Sequence, residues 1–432
     1  MPSDQKLPGD LFGLHADPLF LSILDSLSEP GFKPGWVDPD KQSVAVLPFL
    51  NVSNDAEQEY FADGLTEDLI TELSRFKNLF VISGNSSFRF KGRSAKAQDI
   101  GRELGARYVV VGSVRKAGNR VRITSQLIET ANGSHLWAEH YDRDLTDIFA
   151  VQDDVVRAIV VAIPGEVGRK ALEQARRKAP ENLTAYECEL RGRWALHHWS
   201  EGLAAAARWY EKAVEADPGF AAARAGLATI YAFTVYALGD DHEVRFPLAR
   251  EHIGRAVAED GDNYLVQQRA ARVYLLIGEQ QLALQHADRA YALNPNDYSV
   301  LQIMGEVLNY SGRMQEALEW YDRSQRIEPY APDDTRLDCI CDTYYMLRQY
   351  EKVVQIHSVY QNVPAFLHVI LAVSLAQLGR LDESRAAMVK FHEKRLPGQD
   401  PVKLGRIQAK LCSRPEDQEL WLEGYRKAGI EV

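Results

Sequence analysis

Residues 43–50, Ser-Val-Ala-Val-Leu-Pro-Phe-Leu, form a short apolar run, the pattern of a buried strand. Between 57 and 76 the apolar positions Tyr60, Phe61, Leu65, Leu69, Ile70, Leu73 and Phe76 trace one stripe of a helix. Leu79-Phe80-Val81-Ile82 reads as a second strand, residues 95–104 as a second helix ended by Gly105, and residues 108–114 as a third strand. Two glycine-containing turns, Ala117-Gly118-Asn119 and Ala131-Asn132-Gly133, lead into runs at 120–129 and 134–141, as antiparallel hairpins do. An amphipathic stretch from Ile148 to Ile163 stops at Pro164. The order β-α-β-α-β-β-β-α predicts an α/β N-terminal module, a mixed sheet with helices.

Downstream the period changes. Ala206, Tyr210, Ala213 and Pro218 form one set; Ala283, Ala287, Ala290 and Pro295 a second; Ala317, Tyr321, Ser324 and Pro329 a third. Pro295 and Pro329 stand 34 residues apart, the spacing of tetratricopeptide (TPR) repeats. Small residues let paired helices approach, an aromatic fills the gap to a neighbouring helix, and proline ends the unit. Gly278, Gly312 and Gly379 stand between the two helices of their units, where a positive φ is expected. Six units are expected over 183–432, an all-α TPR solenoid rather than a generic helical bundle, which requires no such recurrence. Solenoids offer a concave face lined by first helices. The register assigns Gln268, Arg272, Gln302, Glu306, Asn309, Tyr310, Asp338, Asp342 and Tyr345 to that face, a set suited to an extended peptide or a partner's basic tail.

Composition narrows the function classes. The formal net charge of -11 disfavours nucleic acid as a partner. Four cysteines, Cys188, Cys339, Cys341 and Cys412, make no disulfide framework in a chain this long, and their spacing is wrong for structural zinc. No apolar run reaches the ~20 residues that cross a bilayer, and the start of the chain lacks the pattern of a secretory leader. The expected compartment is the cytoplasm.

Candidate chemistry is sparse. Asp63, Glu67 and Asp68 invite a metal or acid/base reading, but they sit near a helix start, where carboxylates favour the dipole. The segment Asn85, Ser86, Ser87, Arg89 and Lys91 is the candidate anion or ligand loop, although it lacks the Gly-Lys-Ser/Thr of a phosphate loop. Arg115, Lys116, Arg120 and Arg122 form a basic hairpin without the interleaved aromatics that bind single strands. His197 and His198 point about 100° apart on a helix and cannot chelate together. No catalytic residue, metal or cofactor is expected.

The motifs Ser43–Phe49, Glu59–Glu67, Asn85–Phe88, Gly101–Gly105 and His135–Arg143 resemble the TolB-like module. In bacteria that module precedes TPR repeats and follows either a class III adenylate/guanylate cyclase domain or a winged helix. The closing Glu423–Gly429 is similar to the end of the cyclase-linked branch. About forty residues precede the module here, fewer than a cyclase domain needs, so no catalysis is expected. The organisation read from the sequence is an extended arm over 1–41, a TolB-like module over 42–168, a linker helix over 169–182 and TPR-type repeats over 183–432. The function expected from it is a non-catalytic scaffold in bacterial signalling, with a nucleotide- or small-ligand-binding regulatory subunit as the alternative. A protein or peptide partner is expected, and homo-oligomers are compatible with the pattern.

Overall fold

A computed structural model describes residues 42–162, 183–395 and 398–432, apart from 54, 77–78, 94, 197–198, 328–333 and 360–362. The expected arm, the linker helix and the His197-His198 pair lie outside the described residues.

The first unit is the expected mixed sheet with helices. Its strands are β1 (Gln42–Val46), β2 (Leu50–Asn51), β3 (Leu79–Val81), β4 (Tyr108–Ala117), β5 (Arg120–Glu129) and β6 (Ser134–Asp144). Helices α1 (Glu59–Ser74), α2 (Gly84–Phe88), α3 (Ala97–Leu104) and α4 (Ile148–Ala162) connect or cover them. The strand order is β3-β1-β4-β5-β6, with β2 beside β4; β1 is parallel to β3 and β4, and the β4-β5-β6 ladder is antiparallel. The single strand expected over 43–50 is split in two. Pro48 has no amide proton to give the ladder, so pairing lapses between β1 and β2.

Alternation assigns the two faces of the sheet. Val44, Val46, Val110 and Leu127 point to the side covered by α1 and α4. Ala45, Leu47 and Val109 point to the other side, where they meet Ile100 and Leu104 of α3.

The second unit is a TPR-like solenoid. Its helices pair as α5 (Leu183–Leu196) with α6 (Trp199–Ala216), α7 (Ala221–Ala237) with α8 (His242–Glu259), and α9 (Tyr264–Leu276) with α10 (Gln280–Leu293). The series continues with α11 (Tyr298–Tyr310) and α12 (Met314–Ile327), α13 (Asp334–Met346) and α14 (Tyr350–Val359), and α15 (Ala365–Gln377) and α16 (Leu381–Lys394). Asn263 and Asp297 cap α9 and α11 by accepting from Leu265 N and Val300 N. Gly278, Gly312 and Gly379 all have positive φ between the helices of their pairs, as the sequence predicts, and Arg348 (φ 60°) takes the same place after α13. Ala206, Ala283 and Ala317 are fully buried at helix contacts. A Cβ on Gly305 would strike the Tyr321 ring, so the first helix of that pair yields its side chain to let the second approach.

The two units share their cores. Ala185, Tyr186 and Leu190 of α5 join the apolar cluster beneath α1 and α4. The open face of the sheet is closed by Leu301 of α11 and Ile327 of α12. The last two helices, α17 (Pro401–Leu411) and α18 (Pro415–Lys427), turn back over the array, where α18 meets α13 and α15.

Candidate functional site

Three places gather polar side chains: the first helices of the array, the junction between the units, and the neighbourhood of α2.

Of the residues the sequence assigns to the inner face, Gln268 and Arg272 stand on α9; Gln302, Glu306, Asn309 and Tyr310 on α11; Asp338, Asp342 and Tyr345 on α13. Spacings of three and four residues put each group on one helix face, as the register requires. Their accessibility differs from the sequence expectation of a free surface. Gln268, Gln302, Glu306, Asn309, Tyr310, Asp342 and Tyr345 are buried, and Arg272 and Asp338 are half-buried. The physical reason is partly that the first helices close on one another. Arg272 Nη2 reaches Glu306 Oε1 at 2.8 Å, and Tyr310 donates to Asp342. The other part is α17–α18. Gln408 Nε2 lies 3.4 Å from both Asp342 oxygens, and Tyr345 Oη donates to Leu420 O at 3.0 Å.

This interior is acidic. Burial, then the neighbouring Asp342 and Glu306, hold the Asp338 carboxyl well above the usual carboxylate range. Burial pushes Asp342 up to about 7, against the donors Tyr310 and Gln408, which pull it down. Burial and the charges of Glu306 and Asp338 raise the Cys339 thiol, which suits an inert core cysteine. Among the described residues, no group of three or more His, Cys, Asp or Glu is arranged to hold a metal ion.

At the junction, Asp68 is almost wholly buried and accepts from Tyr186 Oη at 2.6 Å, Gln152 Nε2 at 3.0 Å and Arg193 Nη2 at 2.9 Å. Arg193 also pairs with Glu189 at 3.1 Å and Glu67 at 3.5 Å. One guanidinium therefore ties α1 to α5. Asp63 pairs with Lys91 at 2.7 Å, and burial raises its pKa. These carboxylates are engaged in structural ion pairs. A cavity of about 120 Å³ beside them is lined by Asp68, Thr71, Glu72, Arg193, Asp262 and Tyr264. That is well short of the ~300 Å³ at which ligand pockets begin.

The candidate anion loop does not converge. Residues 84–88 form a helical turn in which Ser86 and Ser87 are buried while Asn85 and Arg89 face outward. Lys91 is turned toward α1, held by Glu59 at 2.8 Å and by Asp63. Apolar Phe90, Ile82 and Phe80 draw this segment onto the core, which separates the polar side chains the loop reading needs together. The basic hairpin is likewise internally matched. Arg120 and Arg122 both reach Asp142 on the adjacent strand, at 2.6 and 3.1 Å, and Lys116 pairs with Glu187 of α5.

Sequence reasoning missed Arg193, Gln408, Trp421 and Tyr425. Trp421 and Tyr425 are buried and stand one helical turn apart, a spacing visible in the sequence but with no indication of what they cover.

Residues 40–158 match the family model described as HilA/YgeH-like transcriptional regulator, second domain. The curated protein "Putative adenylate cyclase 3" of Rhizobium meliloti (strain 1021) is 48% identical over 193 residues, which are 44% of this chain and 33% of that protein. The chain thus spans about a third of that relative's length. Among solved structures, the APC/C hetero-tetramer Cut9-Hcn1 is similar at 16% identity and a TM-score of 0.39, over 56% of this chain and 43% of that one. A Pseudomonas aeruginosa pilF structure is similar at 20% identity and a TM-score of 0.33, over 55% of this chain and 99% of that one. A tetratricopeptide repeat protein from Parabacteroides merdae ATCC 43184 is similar at 15% identity and a TM-score of 0.35, over 57% of this chain and 92% of that one.

Proposed function

We infer that the chain is a protein-interaction scaffold without catalytic chemistry of its own, in which a TolB-like α/β module is fused to a TPR array, and that it serves bacterial signalling. The observation that carries this reading is the stack of helix pairs α5–α16, an architecture whose extended inner face is a surface for other chains. The carboxylates that invite a catalytic reading are tied up in ion pairs, Asp63 with Lys91 and Asp68 with Arg193. The signalling context is supported by the name of the curated relative and by the TolB-like motifs of the module. The compartment proposed is the cytoplasm; no helix among the described residues is long and apolar enough to cross a membrane.

The test is quantitative capture on the full chain followed by titration with the purified partner. A saturable one-to-one protein complex is the expected result. Turnover of ATP or GTP by the purified chain with magnesium or manganese would overturn it.

A second reading, a nucleotide- or small-ligand-binding regulatory subunit, is favoured by one feature. An open cleft of about 560 Å³ lies between Ser53, Gln58, Arg115, Lys116 and Gly118. Thermal-shift titration with ATP, GTP and cyclic nucleotides tests it, and a flat response at millimolar ligand removes it.

A further inference from the structure

After α16 the chain leaves the stack and runs back along it. Gly398 lies against Leu238 and Gly239 at the end of α7, so closely that a Cβ on either glycine would collide with the other strand of chain. Just past α9, Gln280 Nε2 donates to Leu411 O at 2.9 Å. At the end of α11, Tyr310 O accepts from Ser413 N at 2.8 Å. Near the end of α13, Tyr345 Oη donates to Leu420 O at 3.0 Å, and at the end of α15, Gln377 Oε1 accepts from Lys427 Nζ at 2.8 Å. These partners lie at, or within a residue or two of, the turn between the two helices in five successive pairs. A seventh pair would stack on α15–α16 instead. A chain that visits the repeats in order lies on them as a ligand lies in a solenoid groove.

The hairpin is also self-contained. Tyr425 Oη donates to Gln408 Oε1 at 2.6 Å, Arg414 pairs with Asp417 at 2.6 Å, and Gln418 Nε2 donates to Cys412 O at 2.8 Å. Buried polar atoms without a hydrogen bond lie on both sides of the contact, Asn309 and Gln302 Oε1 on the array and Trp421 Nε1 on the hairpin, where a permanent core would match them. Apolar anchoring comes from Trp421 and Tyr425, both wholly buried one turn apart on α18, with Trp421 stacked on Tyr345.

We propose that the inner trough of the array is a groove for a helical segment, that α17–α18 is its resident occupant, and that a partner helix presenting an indole and a phenol one turn apart displaces it. This rests on the scaffold reading and names how its surface is regulated. Displacement leaves the stacking of α5–α16 intact, because the hairpin lies across the pairs and not between them.

The experiment uses the full chain and, as probe, a fluorescent synthetic peptide of residues 401–427. Native-state hydrogen exchange should show α17–α18 amides opening about tenfold or more faster than those of α11–α13. Gly424→Val puts a Cβ into Tyr345 Oη and should loosen the hairpin, so the peptide should bind this variant about tenfold more tightly than the parent chain. Trp421→Ala, which removes the ring stacked on Tyr345 from the resident hairpin but not from the probe, should give a gain in the same direction. Equal protection of α17–α18 and α11–α13, loss of the whole array in both variants, or peptide affinity unchanged by either would overturn the proposal. A partner captured equally by parent and Gly424→Val chains keeps the scaffold reading and sinks this one.

Discussion

Tyr345 on α13 and Trp421 on α18 stack with ring centroids 4.2 Å apart and planes 23° from parallel. Both rings are completely buried. This pair joins α18 to the middle of the array. Trp421→Ala should cost about 3–5 kcal/mol of the hairpin's own stability. Circular dichroism and hydrogen exchange should locate the loss in α17–α18; an equal loss in α5–α8 would mean that the hairpin and the stack unfold as one unit.

The acidic interior makes stability depend on pH. Asp342 titrates near 7 in the folded chain because it is buried, with Glu306 adding to the rise, whereas an unfolded aspartate titrates near ~3.9. The folded state therefore binds the extra proton between these values. The contribution is fully present below about pH 4 and is lost as pH rises through about 7. Asp342→Asn should raise the melting temperature at pH 8 and flatten its fall between about pH 4 and 7. An unaltered pH slope would show that Asp342 is ionised beneath the hairpin.

Arg348 adopts φ 60° where four other pairs use glycine, Gly239, Gly278, Gly312 and Gly379. Its side chain is exposed and the turn is closed by backbone bonds, Arg348 N to Tyr345 O and Gln349 N to Tyr344 O, both 2.8 Å. A Cβ in the left-handed region is disfavoured by about 1 kcal/mol. Arg348→Gly should recover roughly that amount in urea denaturation with an unchanged m-value. A loss of stability would mean the arginine side chain holds something the turn needs.

Arg193 sits between Asp68 and Glu189, carboxylates that are each 1% exposed. Arg193→Met keeps most of the side-chain volume but leaves buried charge, and should destabilise by about 3 kcal/mol or more. Adding Asp68→Asn should restore part of the loss, since the uncompensated charge is then gone. Strict additivity of the two changes would argue against their coupling.

Much of the fold was legible from local pattern. The helical stripe of α1, the glycine turns between β4, β5 and β6, and the positive-φ glycines of the array are short-range matters of sterics and periodicity. The break at Pro48 was harder to see, because the apolar run continues through it while the hydrogen bonding does not. Spacing of three and four residues groups Asp338, Asp342 and Tyr345 on one face of α13, which the sequence shows by itself. Their accessibility was not legible, because burial of Asp342 depends on Gln408, 66 residues away.

The sequence by itself determined the helix pairs, their order and the mixed sheet before them, since each follows from side chains within a few turns or strands of one another. Tertiary structure alone decided that Asp68 and Arg193 weld the two units and that α17–α18 lies along the array. Those contacts join residues 125 and 66 or more positions apart, as Arg193–Asp68 and Gln408–Asp342 do. Residues so far apart in sequence leave no periodic trace; they meet because buried charge and aromatic surface must find partners once the helices have stacked.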